Sequence, residues 1–366
     1  MKKAKYEKVE KKPINPLKIA AIVLSVLAVL LVLAAIGIGI LFWYTGSMRD
    51  SMFSSREEIV VRPTEATEPA KEEVKIDVVD ADWIDENGNA YNYRDDVISI
   101  LIMGIDYMAN EAKWEEGTIS NGGIADVLAL VVLDTKTLEF NILYIPRDTM
   151  ADVIAMDEEG NYIDTIRTNI STSHSYGDGG DLSCRLTEAA VSQLLMGAPV
   201  NRYAALHFDA IYTLNNILGG VNITFDADYT EIHSSFKAGK TAKLNNYYFN
   251  KMIMYRDLND PESASIRGLR IMNILKAMFY QLKDKVMEDP TVALDIVSKL
   301  GAHLTTDLEV SEITYLARNI GKMNFSEDTL VRLPGETVMG EEYAEFYADE
   351  EWIYNFVVEK FCVPAD

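Results

Sequence analysis

The chain has only two cysteines, Cys184 and Cys362, in 366 residues. One potential pair is no framework for a disulfide-stapled fold, so a hydrophobic core has to hold the protein together. Whether the two thiols bridge is left open by the sequence. The four histidines, at 174, 207, 233 and 303, stand in no metal-ligand spacing. A nucleophile elbow, a phosphate-binding P-loop and a Cys-x-x-Cys pair are all missing. Cations are in short supply, with 34 Lys and Arg against 57 Asp and Glu and a net charge of -23. That balance argues against nucleic acid as a partner, since affinity for it comes from cations matched to phosphates. Hydrophobic residues at 48% and charged residues at 25% are ordinary values for a globular protein.

The charge is unevenly placed. Residues 1–18 carry seven Lys against Glu7 and Glu10, a balance of +5 that leaves -28 on the remainder. From Ile19 to Tyr44 run 26 uncharged residues, closing with Phe42, Trp43 and Tyr44. About 20 apolar residues span a bilayer, whereas the apolar core of a cleaved signal peptide is only about 7–15. The run therefore reads as an uncleaved membrane anchor. The positive-inside rule keeps the Lys-rich tail, residues 1–18, in the cytoplasm and places everything beyond the 19–44 span outside the cell membrane. Residues 45–79, with Arg62-Pro63-Thr64-Glu65 and Lys71-Glu72-Glu73, show no apolar period and read as a linker. The 18-residue tail holds no DNA-binding motif.

Ordered structure is expected from about residue 80. Val97–Met103, Val127–Leu133 and Phe140–Ile145 are apolar, β-branched runs that read as buried strands. Only Asp134–Glu139 separates the second from the third, which predicts an antiparallel hairpin. A polar loop joins the first and second, most simply antiparallel, with a parallel crossover as the other option. Helices are predicted over 182–196, 210–218, 311–320 and 350–361, and strands over 203–208, 221–225 and 330–333. A long helix is signalled by Asp260-Pro261 and by Ile266, Leu269, Ile274, Leu275, Met278, Phe279 and Leu282. The expected class is thus α/β (mixed α+β), a mostly antiparallel or mixed sheet covered by helices behind a single membrane span. In the antiparallel arrangement Asp106, Asp126 and Arg147-Asp148 share one sheet edge. Oxygen ligands suit Mg²⁺, and the planar Arg fork suits phosphate. Asp residues that merely end strands would look the same.

These residues resemble the LytR-CpsA-Psr family. The resemblance rests on Ile100–Asp106, Ala125-Asp126, Ile145-Pro146-Arg147-Asp148-Thr149, Leu218-Gly219-Gly220-Val221, Arg256 and the Arg267-x-x-Arg270 pair. It implies an 80–290 domain facing outward, followed by a 291–366 extension packed on it. The activity it implies is a phosphotransferase that moves a glycopolymer from a polyprenyl-pyrophosphate carrier onto peptidoglycan, with the lipid tail in an apolar pocket. By the same resemblance Asp106 and Asp126 match the carboxylates that hold Mg²⁺ (or Mn²⁺), and Arg147, Arg267 and Arg270 the phosphate-gripping arginines. Arg256 matches a pyrophosphate contact, and Asp148 either a general base or a residue that orients Arg147. The chain departs from the family pattern at Ile124, at Met254 or Leu258, at Ala264 and at Ile271, where Arg, Arg, Asp and Gln are usual. Those losses motivate a second reading, a cell-envelope protein that binds lipid-linked glycan without turnover.

Overall fold

A computed structural model describes residues 51–53, 81–85, 87–106, 122–156, 162–255, 263–323, 329–340 and 343–365. The predicted tail, membrane span and nearly all of the linker lie outside the described residues. Among the described residues no helix is long and apolar enough to cross a membrane.

The centre is a six-stranded sheet made of β1 (Val97–Asp106), β2 (Ile124–Asp134), β3 (Phe140–Ile145), β4 (Arg202–His207), β5 (Leu304–Thr306) and β6 (Leu330–Arg332). Its spatial order is β5-β4-β1-β2-β3-β6. Both expected antiparallel pairings are present, β1 with β2 and β2 with β3, while β4 runs parallel to β1 and β6 parallel to β3. The sheet is therefore mixed. The β2–β3 hairpin closes as its sequence predicts: Asp134 Oδ1 accepts the Lys136 and Thr137 N–H groups at 2.8 Å each.

Helices cover both faces, which is why the strands read as near-continuous apolar runs. On one face Leu101, Met103, Leu128, Leu130 and Leu143 pack with Val191 of α1 (Asp181–Leu194) and with residues near the C-terminus, such as Ile353 and Phe361. On the other lie α2 (Phe208–Ile217), α3 (Asn246–Met254) and α4 (Ser263–Glu288). Their core there includes Leu214, Phe249, Ile271, Ile274 and Met278. Residues 291–366, expected as the end of the same domain with a small unit packed on it, contribute to the main sheet. They supply both edge strands, together with α5 (Val310–Asn319) and α6 (Glu350–Phe361). Ser51–Asp366 forms one compact unit.

Two hairpins have no counterpart in the sequence reading, Met150–Met156 with Tyr162–Asn169 and Gly335–Met339 with Ala344–Ala348. The second is hard to see because every residue of Gly335–Met339 is exposed, so no apolar alternation marks it. Cys184 and Cys362 are both buried and unbridged.

Candidate active site

Because β4 parallels β1 and β6 parallels β3, one edge of the sheet gathers the ends of β1, β3, β4 and β6 with the start of β2. Asp106 ends β1 directly opposite Ile124; its carboxylate lies outside the described residues, as does Arg256. Gly104 pairs with Val127 and Ile105 with Ala125, so Asp126 is the extra residue of a β-bulge. Ala125 and Leu128 pack into one core and Val127 against the other, so the alternation of faces breaks at this point. A bulge re-aims a side chain that regular pleating would place elsewhere. Gly104 permits it, since a Cβ there would lie 3.0 Å from Val127 Cβ.

The Ile-Pro-Arg-Asp-Thr motif forms a tight turn after β3. Thr149 donates its N–H and its hydroxyl to the Pro146 carbonyl, at 3.0 and 2.6 Å. The turn is fixed from outside as well: Ser171 N–H donates to Arg147 O at 3.2 Å and Phe346 N–H to Asp148 O at 2.8 Å. Arg147 and Asp148 are thereby presented at the sheet edge. Arg147 Nη1 donates to Asp126 Oδ1, and its Nε donates to Asp148 Oδ1 at 3.3 Å. From α4, Arg267 Nη2 donates to Asp126 Oδ2 at 3.3 Å. One carboxylate thus links two guanidinium groups. The Arg267 Nε is buried with no hydrogen-bond partner among the described residues. A buried charged donor without an acceptor is costly, and in this place it fits an incoming oxyanion.

Arg270, one turn along α4, goes elsewhere. Its side chain is buried at 2% exposure, with Nε donating to Met252 O at 2.5 Å and Nη2 to Tyr255 O. Its guanidinium lies 5.5 Å from the ring centres of both Tyr229 and Tyr255. Burial pulls its pKa below the usual arginine value. Arg270 ties the end of α3 to α4, and the structure does not bring it to Asp126. Of the four departures from the family pattern, Ile124 starts β2 at 37% exposure, Met254 is exposed and Ile271 is core. Leu258 and the Ala264 side chain lie outside the described residues.

Arg332, absent from the sequence reading, adds a cation at this edge. It is level with Tyr144 in the β6–β3 register and sits 5.5 Å over the Phe346 ring. Burial pushes the Tyr144 phenol above its ordinary range, and Arg332 and Arg267 oppose that shift. A lone Arg within the predicted 330–333 strand was the available signal; without the parallel β3–β6 pairing nothing connects it to the motif.

Just inside the edge, a cavity of about 290 Å³ opens between the sheet and α4. Ile102, Ala129, Ile142, Leu275, Phe279 and Leu330 are among its lining residues. From Arg267 to Leu275 the helix rises about 12 Å, so a ligand with a charged head at Asp126–Arg267 has an apolar chamber one step behind it.

Behind β2, the 3₁₀ turn Ile170–Tyr176 clamps the approach to the bulge. A Cβ on Gly122 would meet His174 O at 2.4 Å, and the buried His174 ring holds Gly123 O at 3.3 Å through Nδ1. Burial pulls the His174 pKa down to about 4 from its ordinary 6.5. The unfolded chain therefore binds the proton first, and stability is lost as the pH falls from about 6.5 towards 4. A shift of that size corresponds to about 3 kcal/mol. We predict that the pH 4 to 7 difference in unfolding free energy shrinks by about that amount in His174→Gln; an unchanged difference in urea titrations would remove His174 from the account.

Residues 59–357 match the LytR_cpsA_psr family. A polyisoprenyl-teichoic acid–peptidoglycan teichoic acid transferase, TagU of Bacillus cereus, is 22% identical over 306 residues, 82% of this chain and 85% of TagU. TagV of Bacillus subtilis, which bears the same transferase name, is 29% identical over half of this chain and 41% of its own length. The crystal structure of B. subtilis TagV superimposes with a TM-score of 0.55 at 22% identity, covering 73% of this chain and 98% of that one. TagT bound to LI-WTA gives 0.52 at 21% identity, over 72% of this chain and 89% of that one. With the family pattern matched across most of its length and the fold shared with these structures, the chain belongs to the LytR_cpsA_psr family.

Proposed function

We propose that the protein is a phosphotransferase that moves a glycopolymer from a polyprenyl-pyrophosphate carrier to peptidoglycan. The observation that carries this is the juxtaposition of an anion site, Asp126 with Arg147 and Arg267, and an apolar chamber on the same helix. A polyprenyl pyrophosphate has the same two parts in the same order. The transferase names of TagU and TagV support the reading. We further propose that residues 19–44 anchor the protein in the cell membrane, with the domain outside.

In the proposed step an acceptor hydroxyl of peptidoglycan attacks the phosphorus on the glycan side. A new phosphodiester forms, the P–O–P bridge breaks, and polyprenyl monophosphate leaves with the bridging oxygen, taking up the proton that the hydroxyl gives up. Arg147 and Arg267 bind the phosphoryl oxygens and stabilise the charge that develops on them. Asp148 steadies Arg147 through its Nε contact. Asp106, and Asp126 two residues along β2 from its register partner Ile124, would hold Mg²⁺ (or Mn²⁺), which would supply charge neutralisation at the pyrophosphate. Arg270 serves by fixing α3 to α4.

Narrowing the chamber tests the tail's place. In Ala129→Phe the affinity for a long-chain prenyl pyrophosphate should fall on the order of tenfold or more, since each displaced methylene is worth about 0.8 kcal/mol. Binding of inorganic pyrophosphate should stay unchanged. Equal binding of the long chain by both proteins would place the tail elsewhere.

A further inference from the structure

The body of the protein is strongly acidic, yet residues 232–256 contain no Asp or Glu at all and carry Lys237, Lys240, Lys243, Lys251 and Arg256. In the structure all four of those lysines are exposed, and none has an ion-pair partner among the described residues. Elsewhere on this surface lysines do pair, as Lys136 does with Asp96 and Lys299 with Asp295. One carboxylate, Asp228, stands at the Lys237–Lys240 turn, where its Oδ1 accepts the Ala238 N–H at 2.9 Å; self-repulsion among four unpaired lysines is unfavourable, so the concentration of cations here calls for an anionic counterpart.

The same segment displays apolar surface. On α3, Tyr247, Lys251 and Met254 stand four and three residues apart and so share one helical face. Tyr247 is 63% and Met254 56% exposed, while Phe249, Met252 and Ile253 on the other side are core. Lys251 Nζ lies 5.9 Å from the Tyr247 ring centre. A chain of ring contacts, Tyr247 to Tyr248 at 5.1 Å and Tyr248 to Phe236 at 5.3 Å, connects this face to the turn that carries Lys237 and Lys240. Lys243 follows on the strand Thr241–Leu244, which leads through the Asn245 cap into α3. Cations interleaved with an exposed Tyr and Met are the composition of a surface that lies in a lipid interface. A surface built only for a soluble polyanion gains nothing from an exposed Met.

We propose that the Tyr247–Lys251–Met254 face of α3, with Lys237, Lys240 and Lys243 beside it, docks the domain on an anionic lipid surface. Arg270 bonds the carbonyls at the end of α3 to α4, the helix that lines the apolar chamber. Docking through α3 therefore fixes the chamber relative to the bilayer from which a prenyl chain has to be drawn. The inference goes beyond the transferase reading and does not need turnover.

The test is vesicle binding by purified residues 51–366, the compact unit, compared with the Lys237→Gln/Lys240→Gln/Lys243→Gln/Lys251→Gln variant and with Tyr247→Ser. Each lysine near an anionic membrane contributes roughly fivefold to partitioning. Vesicles with 30% anionic phospholipid should bind the wild type, and the quadruple variant should bind on the order of 10²-fold more weakly. Tyr247→Ser should weaken binding at both low and high salt, the lysine effect should fade as salt rises, and thermal unfolding should be unchanged in all three proteins. Equal binding to neutral and anionic vesicles, or full binding by the quadruple variant, would overturn the proposal. So would lysine-dependent binding to soluble polyphosphate without any to vesicles, which would assign the patch to an anionic polymer. Cleavage of a detergent-dispersed prenyl pyrophosphate should be the same in wild type and quadruple variant. If no protein shows cleavage while vesicle binding still depends on the lysines, the transferase reading fails and the docking surface stands.

Discussion

Arg147→Ala should lower the rate of cleavage of a prenyl-pyrophosphate-linked glycan by at least about 10²-fold, the usual cost of removing one donor to a developing phosphoryl charge. The effect should be large because Arg147 is the junction of the site: it reaches Asp126 through Nη1 and Asp148 through Nε. Removing it leaves Asp126 facing Arg267 alone and Asp148 without its contact. Lys at this position should restore little, since a point charge cannot make both contacts of the planar fork. Binding of the lipid tail should survive, so the loss should appear in kcat more than in the affinity for the prenyl chain. Turnover is the quantity to measure, with ligand binding followed in parallel. A variant that retains wild-type turnover would move the chemistry away from this edge.

The largest expected effect on stability lies elsewhere. Arg202 starts β4 beside the centre of the sheet, and its Nε and Nη2 donate to Glu312 Oε1 of α5 at 3.1 and 2.8 Å. Glu312 is fully buried and Arg202 almost so, and Glu312 Oε2 accepts the Glu309 N–H at 2.7 Å as a helix cap. Cutting one partner from a buried ion pair strands the other charge, which costs about 3–5 kcal/mol. Glu312→Ala should therefore lose about that much in denaturant unfolding, and Arg202→Met likewise. The Arg202→Met/Glu312→Leu protein should recover most of the loss, short of about 1 kcal/mol for the cap. A double variant as unstable as either single one would mean that the pair stabilises outright, and would contradict the desolvation argument.

How much of this was readable in advance follows from the range of each interaction. The β2–β3 hairpin, α4 and the strand ends that carry Asp126 and Arg147 were legible, because apolar period and turn chemistry are local. The mixed sheet was foreseen only in outline. Strand β6 pairs parallel with β3 from nearly two hundred residues away, so Arg332 had no sequence neighbour to connect it with the Ile-Pro-Arg-Asp-Thr turn. The fate of Arg270 was equally hidden. Arg267 and Arg270 look alike on a helical wheel, yet one meets a carboxylate and the other meets the backbone carbonyls of Met252 and Tyr255, which leave no mark in the side-chain pattern. The bulge at Asp126 is a matter of register, and register is set by the whole pairing.

These observations also bear on the departures from the family pattern. Ile271 is buried in the core around α4, so a polar residue there would have to be accommodated inside that core. Exposed Met254 belongs to the proposed lipid-facing stripe. Ile124 leaves a place at the sheet edge without the family's arginine, and Arg332 brings a cation to the same edge from β6.

The most direct test of the central claim is a transfer assay with the full chain in lipid nanodiscs, polyprenyl-pyrophosphate-linked glycan as donor and peptidoglycan as acceptor. Glycan phosphate should become joined covalently to peptidoglycan with an equal amount of polyprenyl monophosphate released. Tight binding of the donor with neither product formed would contradict it, and would leave a protein that holds lipid-linked glycan without turning it over.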